Sequence, residues 1–114
     1  MKKIELKEVK AYEALGHFGM TAMRLHGTEE SGAKKFWMGL SHFLPGGGAE
    51  WAYEDNPLEK VYFILEGELT VRSKTEELVL CKWDSLFLGP NEGRELINNT
   101  KKPASMLVVI NYPE

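Results

Sequence analysis

The residues with the clearest capacity for chemistry lie in one strand-like phrase, which contains Lys60, Tyr62 and Ile64. If the phrase is a β-strand, these three side chains share one face, because alternate residues of a strand point the same way. A lysine on a buried face can act as a general acid or base, or form a Schiff base, when its pKa is lowered. Trp51 and Tyr53 precede the phrase. They predict either a pocket for a sugar or an aromatic ring, or core packing alone.

Short apolar runs, broken by Gly, Pro, Asn and Asp, must position these residues. We count about nine such runs at roughly ten-residue spacing, which predicts an all-β sandwich or a closed antiparallel barrel. The strongest run covers residues 59–72, with an interruption at Gly67. The run over 35–44 is predicted to end at the Pro-Gly-Gly-Gly of 45–48, and residues 4–6 are predicted to form a short strand. Residues 11–19 fit either a short helix or a loop.

Composition limits the possible partners. The chain has 114 residues, which suits one domain over 1–114, and a formal net charge of −3 without a basic cluster. We therefore expect no nucleic-acid partner. No apolar run approaches the ~20 residues that span a bilayer, so no membrane association is expected. A single cysteine, Cys81, excludes an intrachain disulfide and favours a cytoplasmic location.

The segment 45–71 resembles the first motif of the cupin superfamily, with the motif itself at about 47–67. The phrase Val-Tyr-Phe-Ile-Leu-Glu-Gly-Glu-Leu over 61–69 is typical of the family, and Gly67 takes the place of its closing glycine. Counting back from Gly67 puts Lys60 at the position of the metal-binding glutamate. The two histidine positions fall either on Tyr53-x-Asp55 or on Glu54-x-Asn56, and neither placement contains a histidine.

The segment 83–109 resembles the second cupin motif, at about 84–99. Pro90, Glu95 and Asn99 keep the family spacing, which puts Glu95 at the histidine position. The resemblance implies a cupin-type jelly-roll antiparallel β-barrel, similar to the RmlC-like members, that forms a homodimer. It also implies that the two motifs converge, so that Glu95 approaches Lys60.

These substitutions change the metal chemistry that the resemblance implies. Cupin metal sites offer three imidazoles and one carboxylate, whereas Lys60 supplies a cation that repels a divalent ion by several kcal/mol at ~4 Å. We therefore expect no cofactor and no bound transition metal. The alternative is a magnesium, calcium or manganese site built from Asp55 or Glu54 with Glu95, assisted by Glu92.

Two acid–base pairs remain as catalytic hypotheses. Lys60 and Glu95 can act as a proton-transferring pair, or they can form a salt bridge that replaces the metal as a cross-link. Metal-free dTDP-sugar epimerases of the superfamily use a histidine base with a tyrosine acid. Here that resemblance implies His42 with Tyr53 or Tyr62. The alternative for His42 is a structural, hydrogen-bonded histidine, and His17 and His26 are expected at the surface.

The function predicted from these residues is that of a cupin with a pocket for a small molecule. It is either a metal-independent isomerase, lyase or decarboxylase acting on a polar carbonyl or sugar-like substrate, or a non-catalytic ligand-binding or structural cupin. The predicted catalytic residues are Lys60, Glu95, Tyr62 and His42. The predicted pocket residues are Trp51, Tyr53, Asp55, Ile64 and Glu92. Fold alone does not decide between the two functions.

Overall fold

The computed structural model describes residues 1–113 and consists mainly of β-strands, with 53% of residues in strands and 6% in helices. A short 3-10 helix (Leu6–Glu8) and a single helical turn α1 (Thr28–Ser31) accompany them. The strands are β1 (Ala11–Tyr12), β2 (His17–His26), β3 (Phe36–Ala52), β4 (Lys60–Glu66), β5 (Leu69–Arg72), β6 (Glu77–Leu80), β7 (Ser85–Leu88), β8 (Arg94–Ile97) and β9 (Ala104–Asn111).

All neighbouring strands pair antiparallel and form a nearly closed barrel. The order of strands is β6-β5-β8-β3-β9-β4-β7, and β2 pairs with both β1 and β3. The first part of β3 pairs with β9, and its last part pairs with β8. Strand β3 therefore passes from one layer of the barrel to the other, and the space between the layers is the interior.

The glycine run at 46–48 lets β3 change layers without ending. Gly46 has a φ of +82°, which suits a residue without a Cβ. A Cβ on Gly48 would lie 2.1 Å from the carbonyl oxygen of Leu96, so only glycine allows β8 to approach this closely. The prediction that the Pro-Gly-Gly-Gly sequence ends a strand is therefore wrong, because here the glycines serve close strand contact rather than a turn.

The N-terminal residues differ from their prediction as well. Residues 4–6 form no strand, and a 3-10 helix begins at Leu6. In the segment 11–19, strand β1 pairs Ala11 with Met23 and Tyr12 with Ala22, and β2 begins at His17. This segment lies along β2, so its structure depends on pairing with residues further along the chain. Within residues 1–113, no helix is long and apolar enough to cross a membrane.

Gly67 separates β4 from β5, as the sequence predicts. Its φ is +78°, and a Cβ there would lie 2.4 Å from the carbonyl oxygen of Pro103. On β4 the predicted alternation is confirmed, since Lys60, Tyr62 and Ile64 are all at most 1% exposed. Strand β9 supplies the facing apolar side chains, which alternate in the same way as buried residues at Ala104, Met106, Val108 and Ile110.

Asn98 stabilises the turn between β8 and β9. Its side-chain nitrogen donates to the carbonyl oxygens of Lys102 at 2.9 Å and Phe43 at 3.4 Å. Its side-chain oxygen accepts from the backbone nitrogen and the hydroxyl of Thr100, at 2.9 and 2.7 Å. Asn98 is buried and Asn99 is exposed. The inward asparagine is thus Asn98, whereas Asn99, which the resemblance placed at the family position, faces outward.

Candidate functional site

The barrel interior opens into a cavity of about 390 Å³, a volume within the range of small-molecule sites. Strands β2, β3, β4, β8 and β9 form its walls, and residues 12–15 cover one side. The polar or aromatic side chains that line it are those of Tyr12, Glu13, His17, Arg24, Trp37, Ser41, Tyr53, Tyr62 and Arg94.

Lys60 is not among the residues that line this cavity. Its side chain is fully buried, and Nζ donates to the carbonyl oxygen of Leu58 at 3.1 Å. Nζ also lies 4.1 Å from the centre of the Tyr53 ring, which is a cation–π contact. Burial lowers the pKa of Lys60, and nearby Arg94 lowers it further, while Glu92 opposes both effects. The inward direction predicted for Lys60 is correct, and its observed partners are a carbonyl and an aromatic ring.

Arg94 enters the cavity where the sequence predicts Glu95. Strand β8 turns Arg94 and Leu96 inward, so Glu95 points out and forms an ion pair with Arg72 at 3.4 Å. The predicted approach of Glu95 to Lys60 is therefore wrong. A shift of one residue moves a strand side chain to the opposite face. The spacing from Arg94 to Asn98 equals that from Glu95 to Asn99, which is why the motif alone did not separate the two registers.

Arg94 is held by three groups inside the barrel. Its Nε donates to the Tyr62 hydroxyl at 2.8 Å, and Nη1 donates to the carbonyl oxygen of Glu50 at 3.0 Å. The guanidinium carbon lies 4.9 Å from the centre of the Tyr53 ring. Burial raises the pKa of Tyr62, with Arg94 acting in the opposite direction, so the hydroxyl keeps its proton at neutral pH. Tyr62 can therefore donate that proton to a ligand oxygen.

His17 also lines the cavity, contrary to its predicted place at the surface. Its Nδ1 lies 2.9 Å from the carbonyl oxygen of Leu15. A carbonyl only accepts, so Nδ1 carries the proton and Nε2 of the neutral ring keeps its lone pair. Burial lowers the pKa of His17, and the positive charge of Arg94 lowers it further, against the opposing effect of the Leu15 carbonyl. These are the properties of a general base that is neutral at physiological pH.

No local signal identified His17 as a cavity residue. Its position depends on residues 11–15, which run along β2 and form one side of the cavity. The pattern of apolar residues does not predict this contact between residues 11–15 and β2. Period-two alternation back from Ala22 would turn His17 away from the cavity, and the register shift in β2 between Phe18 and Met20 reverses this.

His42 lies on the other face of the barrel wall. Its neighbour Ser41 lines the cavity, and His42 Nδ1 makes a 2.8 Å hydrogen bond with the Ser105 hydroxyl. Adjacent residues of a strand point to opposite faces. The structure therefore does not bring His42 together with Tyr53 or Tyr62. His42 instead fits the alternative prediction of a structural, hydrogen-bonded histidine.

Of the five predicted pocket residues, Tyr53 lines the barrel cavity. Trp51 and Glu92 line a separate surface cleft of about 190 Å³, and Glu92 accepts from the backbone nitrogen of Gly89 at 2.6 Å. Asp55 is exposed, and Ile64 is fully buried in the core. Tyr53 reaches the interior with a φ of +71°, a backbone conformation that side-chain-bearing residues adopt infrequently.

The carboxylates of the alternative metal site point in different directions. Glu54 forms an ion pair with Lys74 and accepts from Trp51 Nε1 at 3.1 Å. Glu95 pairs with Arg72. Across residues 1–113, no three His, Cys, Asp or Glu side chains stand close enough together to hold a metal ion.

A small antiparallel barrel with two strand-borne motifs meeting at an internal cavity defines the cupin class. The model of the cupin domain family matches residues 39–110, and the chain belongs to that family. A Mycobacterium tuberculosis protein (strain ATCC 25618 / H37Rv) named β-D-galactosidase is 38% identical over 113 residues. This match covers 99% of the chain and 96% of that protein.

Solved structures support the same fold. The polyketide cyclase RemF of Streptomyces resistomycificus matches with a TM-score of 0.85 at 20% identity, covering 97% of the chain and 79% of the cyclase. A cupin-superfamily sugar phosphate isomerase of Silicibacter pomeroyi matches with a TM-score of 0.82 at 20% identity, covering 98% of the chain and 76% of the isomerase. At these identities the similarity concerns the fold, and the activities named belong to those proteins.

Proposed function

We propose that this chain is a metal-independent cupin enzyme that acts on a small polar carbonyl or sugar-like substrate by moving a proton. The observation that carries the proposal is one cavity lined by a neutral imidazole, that of His17, together with Arg94 hydrogen-bonded to Tyr62 at 2.8 Å. A base and a preorganised cationic donor on one cavity are the groups that enolisation requires.

The proposed reaction is an isomerisation that needs no co-reactant. Nε2 of His17 takes the proton from the carbon beside a carbonyl, and the electron pair of that C–H bond moves onto the carbonyl oxygen. The cationic Arg94 and the hydroxyl of Tyr62 stabilise the resulting enolate oxygen. Tyr62 gives its proton to the enolate oxygen and takes the proton of the adjacent hydroxyl, whose oxygen becomes the new carbonyl oxygen. The imidazolium of His17 then returns its proton to the former carbonyl carbon, which completes the shift and restores the base. The substrate is neither oxidised nor reduced overall.

The metal centre that the cupin family implies does not fit the residues at this site. Tyr53 and Tyr62 lie here with the cations Lys60 and Arg94, and the cavity offers one imidazole, that of His17, and one carboxylate, that of Glu13, in place of the three imidazoles and one carboxylate of a cupin metal site. A divalent ion placed beside the two cations is repelled by both. We propose that the chain needs no metal cofactor, and none of the steps above involves one.

A solvent-exchange measurement tests this function. The protein is treated with a chelator and incubated in D₂O with separate aldoses, ketoses, uronic acids and keto acids, and deuterium incorporation is followed by NMR. We expect incorporation beside the carbonyl of at least one class of compound, and we expect His17→Gln to slow it by about 10²-fold or more. His42→Gln is the matched control, because His42 faces away from the cavity. Equal rates in His17→Gln and wild type would overturn the proposal, and specific binding without turnover would favour the non-catalytic alternative.

A second candidate is glycoside hydrolysis, favoured by the name of the 38% identical relative. Most glycosidases use two carboxyl groups. Glu13 is the one carboxylate among the cavity-lining residues of the described chain 1–113, so this function is less well supported. Release of nitrophenol from a nitrophenyl β-D-galactoside by wild type, lost in Glu13→Gln and kept in His17→Gln, would favour hydrolysis over proton transfer.

We further propose that the protein is a cytoplasmic homodimer. Val61 and Phe87 are cross-strand partners on β4 and β7, and both are more than 40% exposed. Trp83 is 71% exposed and packs edge-on against Phe63, with ring centres 6.2 Å apart. We call these four residues the outer apolar face. Contiguous apolar surface of this kind is typical of a protein–protein contact, and a second copy of the chain would cover it.

A further inference from the structure

Arg24 on β2 has a guanidinium without a polar partner. It makes cation–π contacts with two aromatic rings, with its guanidinium carbon 5.3 Å from the centre of the Tyr12 ring and 5.0 Å from that of Trp37. Its Nε is buried and donates to no acceptor within residues 1–113. Over the same residues, no carboxylate lies within salt-bridge distance of Arg24.

This arrangement leaves the N–H donors of Arg24 available to bind an anion, which is the chemistry for which arginine is suited. A guanidinium offers five N–H donors in a planar fork that matches carboxylate and phosphate oxygens. Tyr12 and Trp37 pack against the guanidinium of Arg24, and their aromatic rings supply no carboxylate or phosphate oxygen to it. A donor group that is held in place and left unsatisfied costs free energy unless a ligand or water completes it.

Arg24 lines the same cavity as the proposed catalytic groups. Arg94 uses Nε and Nη1 inside the protein, and within residues 1–113 its Nη2 has no acceptor. The charged side chains that line the cavity are therefore two guanidiniums and the carboxylate of Glu13. The cavity carries a net positive charge, although the chain as a whole has a formal net charge of −3. A positively charged cavity in a protein of net negative charge favours an anionic ligand.

We infer that the substrate carries a carboxylate or phosphate group and that Arg24 binds this group. The inference rests on the proposed function and narrows it to acidic sugars and related acids. In this arrangement Arg94 and Tyr62 hold the reacting oxygen near His17, and Arg24 fixes the other end of the molecule. A cavity of about 390 Å³ accommodates one acid of monosaccharide size rather than a macromolecule.

One rival explanation for Arg24 lies within the chain. Glu30 Oε1 is also buried without a partner, and both it and Cδ of Arg24 lie within 3.0 Å of the point where a Cβ on Gly27 would stand. If Arg24 pairs with Glu30 in solution, Glu30→Gln will destabilise the protein and will leave anion binding unchanged or stronger. If Arg24 serves the ligand, Glu30→Gln will leave stability nearly unchanged.

The test uses inorganic phosphate and malonate as separate probes at low ionic strength. Binding is followed by calorimetry and by the NMR shifts of the arginine Nε–H groups. We expect saturable binding of at least one probe, with shifts at Arg24 and Arg94. Arg24→Gln should weaken binding about tenfold or more, since hydrogen bonds to a charged group are lost. Arg72→Gln, which removes an exposed arginine, is the matched control and should bind as wild type does.

The two probes distinguish two classes of substrate. Binding of phosphate alone favours sugar phosphates, and binding of malonate alone favours sugar acids. Arg24→Lys keeps the charge and guards against a folding defect; it should retain more affinity than Arg24→Gln. Absence of saturable binding of both probes, or equal affinity in Arg24→Gln and wild type, would overturn the inference. Because no turnover is measured, loss of proton exchange with anion binding intact would refute only the proposed reaction.

Discussion

Arg94 Nε and the Tyr62 hydroxyl lie 2.8 Å apart inside the barrel, and they join strands β8 and β4 from its two layers. Both side chains are at most 2% exposed by residue, yet both line the cavity. In cupins that hold a metal, the two motifs meet on the ion. Here an arginine and a tyrosine make the connection between the motifs, and the same hydrogen bond orients a cation toward the ligand space.

The first prediction concerns Arg94. Arg94→Gln should lower kcat/KM for the exchanged substrate by about 10²–10³-fold, because a preorganised donor to the developing oxyanion is lost. Glu95→Gln is the matched control from the next position, and it should change kcat/KM by less than about twofold, since Glu95 is on the outer face with Arg72. A larger effect of Glu95→Gln than of Arg94→Gln would contradict this assignment and support the register predicted from the sequence, in which Glu95 faces the interior.

The second prediction concerns pH. Burial and Arg94 hold the pKa of His17 below the ordinary value of 6.5. The base works only when neutral, so kcat/KM should stay high as pH falls to 6.5 and then decrease as pH falls through the lower pKa of His17. A pH–rate profile of wild type measures this limb. An acid limb centred above pH 6.5, or one that persists in a partly active His17→Gln variant, would contradict the assignment.

The same shift predicts a change in stability. The unfolded chain takes up a proton on His17 at a higher pH than the folded chain does, so the free energy of unfolding should decrease as pH falls below 6.5. His17→Gln should remove this part of the pH dependence in denaturant titrations. An unaltered slope in the variant would show that His17 has the same pKa in the folded and unfolded states.

The third prediction concerns the turn after β8. Asn98→Ala should lower the free energy of unfolding by about 2–3 kcal/mol, because the buried Asn98 side chain is lost and groups at Phe43, Thr100 and Lys102 lose their partner. Asn99→Ala should change it by less than about 0.5 kcal/mol, since Asn99 is exposed. Urea titrations of the two variants compare them directly. Equal destabilisation would contradict the inward placement of Asn98.

The fourth prediction concerns assembly. Phe87→Glu puts a charge on the outer apolar face and should convert the proposed dimer into a monomer in sedimentation experiments. Val79→Glu is the control, because Val79 is also more than half exposed but lies on β6, which pairs with neither β4 nor β7. A wild-type protein that sediments as a monomer at micromolar concentration would refute the dimer.

The sequence predicted the elements that depend on local pattern. The predicted run over 59–72 forms β4 and β5 on either side of Gly67, and the inward face of β4 follows from its alternation. The predicted end of β3 at the glycine run was wrong, because the close approach of Leu96 decides that region and local propensity does not. Tertiary contact overrides the turn preference of Gly and Pro at this point.

The site was harder to predict than the fold for two physical reasons. Consecutive asparagines at 98 and 99 allow two motif registers, and a choice between them exchanges Arg94 for Glu95 on the inner face. The roles of His17 and Arg24 depend on the N-terminal segment lying against β2, a contact between residues such as Tyr12 and Ala22 that no motif records. Lys60 and Tyr62 were found because strand alternation alone positions them.

Metal retention tests most directly the claim that cationic and tyrosine side chains have replaced the cupin metal. The purified protein is dialysed in separate experiments against iron, nickel, zinc and manganese salts. It is then desalted into a buffer that contains a chelator, and its metal content is measured by mass spectrometry. We predict content far below one ion per chain for every metal, because Lys60 and Arg94 repel a divalent ion from the site. Retention of close to one ion per chain, lost in a Tyr53→Phe or Tyr62→Phe variant, would contradict the account.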